Sequence, residues 1–293
     1  MVPCHVVEIT TPKKFVLNGL WFGPKRPKKV VIWIHGLSST MFGKLEIIGH
    51  LVNSKTAVLA FNNRGHDQVH GVARILKNRK GYVRKAAGGA HEVFTDCADD
   101  IRGTINFVRR QRVKDIYLAG HSTGCQKSTY WAHKNKGGHG VKGIVLLAPM
   151  SDYAAAVASD RNGRLAEATR KARALVQQGK KHELLPTSVW SPKMLADAQR
   201  FLSLYVGRGP EEIFTYWDAK KNPKTLKSVK VPLLVLLAEK DEYGDRPAKK
   251  IAAWFEEHLR VPHRIVVVPR VPHSFKGGEA KVAVSIKSWM AAR

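Results

Sequence analysis

Ser122 stands between His121 and Thr123, with Gly120 two residues before it and Gly124 two residues after, in the stretch "DIYLAGHSTGCQKS" of residues 115–128. Glycines at i−2 and i+2 allow a sharp strand-to-helix turn in which the central side chain is pushed outward on strained backbone. A serine so placed becomes a nucleophile only with three kinds of help. A histidine must take its proton, an acid must hold that histidine's tautomer, and N–H donors must receive the oxyanion. The acid and the histidine are expected on loops beyond later strands, in the order serine, acid, histidine. "VPLLVLLAEKDEYGD" places Asp241 just beyond one apolar run, and "HRIVVVPRVPHSF" places His273 just beyond the next. "VVIWIHGLSS" supplies His35-Gly36-Leu37 after an earlier run, where a glycine lets backbone amides turn inward.

Each residue has rivals. Glu242, Asp245 and, at a different strand end, Asp152 in "APMSD" compete with Asp241; Asp152 is the principal alternative. His35 and His121 flank the same turn as Ser122, but in those positions they are expected to support loops. Lys127-Ser128 suggests a phosphate-binding loop. That motif requires Gly-Lys five and six residues after its first glycine, where Cys125 and Gln126 stand. "HDQVH", residues 66–70, has two histidines four apart, yet Asp67 stands where a zinc protease has glutamate, and Gly65 and Gly71 argue for a loop. Arg64 is expected in a structural ion pair, and Cys125 as a small core residue. Trp190, Tyr205, Tyr216 and Trp217 either line a pocket or pack one layer on another.

The elements that must position these residues alternate. The apolar runs at 28–35, 56–62, 115–120, 141–149, 231–239 and 263–269 are short, rich in β-branched residues and do not alternate with polar ones, as buried parallel strands require. Between them, segments 40–54, 95–111, 125–135, 246–259 and 279–293 repeat apolar residues at three and four, the helical period. The expected fold is α/β, a doubly wound, mostly parallel sheet. Residues 151–230 lack a buried strand pattern and carry helical segments, so they are expected as a helical cap over one sheet edge. The division is a core of residues 1–150 and 231–293 with a cap insertion at 151–230.

The chain of 293 residues has 50 Lys and Arg against 23 Asp and Glu, a net charge of +27. Such a surface attracts anions. The charges are spread out, concentrated only in Arg74 to Lys85, and no nucleic-acid-binding signature accompanies them, so no specific nucleic acid is expected. Cys4, Cys97 and Cys125 fall in no disulfide or zinc spacing. The N-terminal "MVPCHVVEITTPKKFVLNGLWFG" lacks the apolar core of a signal peptide, and no apolar run reaches membrane-spanning length. The expectation is a cytoplasmic protein with no membrane partner.

The constellation resembles the α/β-hydrolase superfamily over essentially the whole chain. Within it, "FNNRGHD", "GGAHEVFTDCADDI", "GHSTGCQKS" and "LLAPMSD" are similar to the group containing fungal siderophore esterases and related bacterial hydrolases of unknown substrate. The basic stretch 74–85 departs from the fungal pattern as an insertion. The resemblance implies Ser122 as nucleophile, His273 as general base and acid, Asp241 as orienting carboxylate, and the Leu37 and Thr123 amides as oxyanion hole. It implies a carboxylic ester hydrolase working through an acyl-enzyme on a small-molecule ester, anionic or aromatic, with no metal or organic cofactor. Acyl transfer, C–C or amide hydrolysis on the same fold, and a non-catalytic polyanion binder, are the alternatives.

Overall fold

The computed structural model describes residues 2–76, 80–160, 162–190 and 194–293. The apolar runs form a sheet of eight strands. They are β1 (Cys4–Thr10), β2 (Val16–Phe22), β3 (Lys29–Ile34), β4 (Thr56–Phe61), then, after a separate hairpin of β5 (His70–Ile75) and β6 (Tyr82–Ala87), β7 (Asp115–His121), β8 (Gly143–Leu147), β9 (Leu233–Ala238) and β10 (His263–Val268). The order across the sheet is β1-β2-β4-β3-β7-β8-β9-β10. From β4 to β10 every pairing is parallel, and β1 and β2 add antiparallel strands at one edge.

Helices cover both faces, which is why the central strands read as unbroken apolar runs. On one side Val30, Ile32 and Ile34 of β3 join Leu118 of β7 and Ile144 of β8 against α2 (Cys97–Arg110), α3 (Thr123–Lys134) and α8 (Ala248–His258). On the other, Val31 and Trp33 alternate with them to meet α1 (Leu45–Leu51) and α9 (Glu279–Ala291). The α2 helix shows the sequence logic: Cys97, Ile101, Ile105 and Val108 recur at helical spacing and are buried, while Asp99 and Asp100 open it and Arg109 and Arg110 close it, complementing the helix dipole.

Between β8 and β9 the chain leaves the sheet for α4 (Asp152–Ser159), α5 (Arg164–Gln177), α6 (Ala198–Tyr205) and the short α7 (Lys224–Lys227). Ala168, Ala172 and Leu175 of α5 and Phe201 and Leu204 of α6 build a third apolar cluster, and Leu37 of the core packs against it. Ser151 and Asp197 cap α4 and α6, each side chain accepting from an amide three residues on.

Two hairpins were not anticipated as strands. The β1–β2 pair comes from the alternating N-terminal segment, whose outer residues, such as Val6, face solvent. The basic stretch 74–85 contributes the end of β5 and most of β6, paired antiparallel; its residues 77–79 lie outside the described residues. No helix among the described residues is long and apolar enough to cross a membrane.

Candidate active site

Ser122 sits where β7 turns into α3, with φ 55° and ψ −126°, a conformation a non-glycine residue adopts only under constraint. The two bracketing glycines impose it sterically. A Cβ at Gly120 would strike the Gly124 carbonyl, and one at Gly124 would strike the Ile34 carbonyl at the end of β3. Gly36 completes the approach, since a Cβ there would lie 3.0 Å from the Ser122 Cβ. The β3 loop is thereby held directly against the serine.

Leu37 follows Gly36 in that loop, and Thr123 follows Ser122 at the start of α3. Thr123 is the first residue of α3, so its amide has no intrahelical acceptor and points along the positive end of the helix dipole. The Leu37 amide has no backbone acceptor among the turn and loop hydrogen bonds of the described residues.

His273 and Asp241 stand beyond β10 and β9 and meet in space. His273 Nδ1–H donates to Asp241 Oδ2 at 2.8 Å, and the other carboxylate oxygen accepts from the Tyr243 amide at 3.0 Å. The histidine is buried, and Tyr243 meets its ring edge-on at 5.0 Å. Glu242, a rival for the acid's place, instead accepts from the His273 backbone amide at 2.8 Å and so anchors the loop. Asp152 does not reach the histidine; its Oδ2 accepts from Gln126 Nε2 at 3.0 Å.

The flanking histidines hold loops. His121 Nε2–H donates to the His273 carbonyl at 3.0 Å, linking the residue before the nucleophile to the far arm of the site. His35 Nδ1–H donates to the Gly36 carbonyl at 2.8 Å, and its Nε2 accepts from the Asn63 amide at 3.2 Å. Burial pulls the pKa of both down to about 3, with the charges of His273 and Lys127 adding to the effect, so both rings are neutral near pH 7. The Ser122 hydroxyl lies 4.0 Å from Met150 Sδ.

Beneath this surface runs a chain of buried charge that no local sequence pattern signals. Lys127, one turn past the elbow, pairs with Glu92 at 2.7 Å; Glu92 pairs with Arg200 of α6 at 2.8 Å; Arg200 also pairs with Glu211. Arg64 behaves as expected of a structural residue, bonding Asp99 and Asp100 of α2. His66 and His70 stack their rings at 3.6 Å in a loop and strand start, not on a helix. Trp190 packs on Phe201 and Tyr205, and Trp217 on Tyr153, all within the 151–230 segment, whereas Tyr216 meets Trp254 of α8. Cys125 is fully buried.

Solved structures share this architecture at low identity. An esterase of Pyrococcus furiosus is 19% identical with a TM-score of 0.60, covering 99% of this chain and 92% of its own. Est1E of Butyrivibrio proteoclasticus, solved with ferulic acid, is 17% identical with a TM-score of 0.64 and 98% coverage of both chains. A thermostable carboxyl esterase of Bacillus coagulans, solved with glycerol, is 14% identical with a TM-score of 0.67, covering 100% and 99%. These likenesses establish the α/β-hydrolase fold. No protein of curated function matches the sequence. The family model described as "Protein of unknown function (DUF1749)" matches residues 91–260, more than half of the chain and the part that carries the elbow, and the chain belongs to that family.

Proposed function

We propose that the protein is a serine hydrolase that cleaves carboxylic esters of small molecules through an acyl-enzyme. The observation that carries this reading is the 2.8 Å bond from His273 Nδ1–H to Asp241, at the same end of the sheet as a serine held in elbow geometry. That bond fixes the tautomer in which Nε2 is free to accept a proton.

In the proposed reaction Ser122 Oγ attacks the ester carbonyl carbon while its proton passes to His273 Nε2. For this the hydroxyl turns from Met150 toward the imidazole, a bond of the kind that tightens around substrate. The carbonyl oxygen, now an oxyanion, is received by the Leu37 and Thr123 amides, each contributing about 3 kcal/mol of transition-state stabilisation. His273 gives its proton to the leaving alkoxide, and the C–O bond breaks. A water then loses a proton to the same nitrogen and attacks the acyl carbon, and the acid leaves as Ser122 recovers its proton. Asp241 remains ionised throughout, balancing the imidazolium. The segment 151–230, packed over Leu37, acts as the cap in this reading, and no cofactor is required.

Fold likeness to esterases supports the choice of ester over amide, as does the better leaving group. The sequence resemblance to siderophore esterases adds siderophore esters to the candidates. The test is hydrolysis of p-nitrophenyl and aryl esters of increasing acyl length, with Ser122→Ala as control. The expected result is turnover that the substitution abolishes, with fluorophosphonate labelling confined to Ser122. Ester release unaffected by the substitution would overturn it, as would the absence of both turnover and labelling.

A further inference from the structure

Ser122 follows the last residue of β7, and Lys114, just before the first, borders a depression of about 720 Å³ between the turn after α2 and the loop before β8. The seven residues of β7 put about 20 Å between the two, so whatever fills this depression is not the group that Ser122 attacks. Four of its seven lining residues are cations: Arg109, Arg112, Lys114 and Lys142. No carboxylate is among them. Clefts elsewhere mix the signs, since the one beneath the β5–β6 hairpin includes Glu8 and the one between α5 and α6 includes Asp160. Among the described residues Arg109, Arg112 and Lys114 form no ion pair, and Lys142 meets Asp115 at 3.8 Å in an exposed contact worth little.

The backbone supports this gathering of charge. Arg112 takes a left-handed φ of 62°, which turns the chain sharply after α2. Arg109 closes that helix, yet its Nη2–H donates to the Gly140 carbonyl at 3.3 Å, so the side chain crosses to the facing loop and is held there. Gly140 makes the crossing possible: its φ is 97°, and a Cβ at that position would strike the Arg109 guanidinium. The amides of Val113, Lys114 and Gly140, all in the lining, have no acceptor among the turn and loop hydrogen bonds of the described residues. Val113 and Val141, the apolar lining residues, are buried.

We propose that Arg109, Arg112, Lys114 and Lys142 form a second, non-catalytic site that binds a small polyphosphate, a chain of two or three phosphoryl groups. Guanidinium forks and unpaired amides are the donors that phosphate oxygens take, and four cations suit a chain of phosphates better than one. The depression has the size of a small-molecule pocket. It offers no aromatic side chain on which the bases of a single strand could stack, and no exposed apolar side chain that would enter a membrane. The site is independent of the ester-hydrolase reading.

Calorimetry on the full chain tests this at about 0.15 M salt, where exposed charges more than about 8 Å apart are largely screened from one another. Inorganic triphosphate is titrated into the wild type, into Arg112→Gln with Lys142→Gln, and into Lys249→Gln with Lys250→Gln. The last pair removes the same charge from the exposed face of α8. The expected result is one triphosphate per chain, bound about tenfold or more weaker by the first pair and equally well by the second, with orthophosphate about tenfold or more weaker than triphosphate. Equal losses in the two pairs would mean diffuse surface charge only and overturn the proposal, as would the absence of binding to the wild type. A short single-stranded oligonucleotide that binds more tightly than triphosphate, and is weakened by the first pair, overturns it in favour of nucleic acid. All four substituted residues are exposed, so melting temperature and ester turnover are expected to match the wild type in both variants. Triphosphate binding without turnover of any ester removes the esterase and leaves this site; turnover without site-dependent binding does the reverse.

Discussion

Asp241 accepts one hydrogen bond from His273 and one from the Tyr243 amide, so its position is determined from two directions. Replacing it by asparagine keeps the shape but can present an N–H to Nδ1, which forces the imidazole proton onto Nε2 and removes the base. Asp241→Asn is expected to lower kcat by about 10⁴-fold with little change in melting temperature. Paired turnover and thermal unfolding measurements check this, and a loss under tenfold would show that another carboxylate orients the ring. Asp152→Asn, by contrast, is expected to leave the activity's dependence on His273 intact, since Asp152 bonds Gln126 and not the histidine. The places of Ser122, Asp241 and His273 at strand ends were legible because each follows a strand with an apolar run. The roles of Glu242 and His121 were not, because both act on the His273 backbone, which no side-chain pattern reveals.

At the scale of elements, the elbow depends on three segments meeting with no room for a methyl group. Gly124→Ala would drive a Cβ into the Ile34 carbonyl, and backbone cannot yield as a side-chain tip can. The expected cost is about 3 kcal/mol of stability, together with loss of activity as the β3 loop is displaced. Urea unfolding against the wild type measures the first and ester turnover the second; unchanged values would show that the turn relaxes freely. The parallel strands could be read from the sequence because burial on both faces leaves only apolar residues. The β5–β6 hairpin could not, because β6 is almost wholly exposed and its residues, Arg84 and Lys85 among them, obey solvation rather than packing.

Across the whole molecule, neutral buried histidines link stability to pH. His121 has its pKa lowered from 6.5 to about 3 in the folded state, so between those values the unfolded chain binds the proton and the folded one does not. Its contribution is therefore complete above pH 6.5 and is lost as pH falls toward 3, at up to about 1.4 kcal/mol per pH unit. The expected signature is that His121→Gln costs most at neutral pH and progressively less at pH 5.5 and 4.5, read from urea midpoints. A pH-independent difference would mean that His121 titrates normally. Arg200→Met leaves Glu92 and Glu211 without their shared partner and is expected to destabilise by about 3–5 kcal/mol, measurable by the same unfolding curves. This ion chain escaped sequence reading because Glu92 and Arg200 are 108 residues apart and neither sits in a motif.

That separation also bears on how the protein can be assembled and cut. Lys127 and Glu92 belong to the sheet core, yet Arg200 arrives from the 151–230 segment, and all three are buried in the folded protein. Until α6 docks, Glu92 has only Lys127 of the two cations that the native arrangement supplies. A shortened chain lacking residues 151–230 is therefore expected to be less stable than the full chain, since it loses the Arg200–Glu92 pair that ties the segment to the sheet.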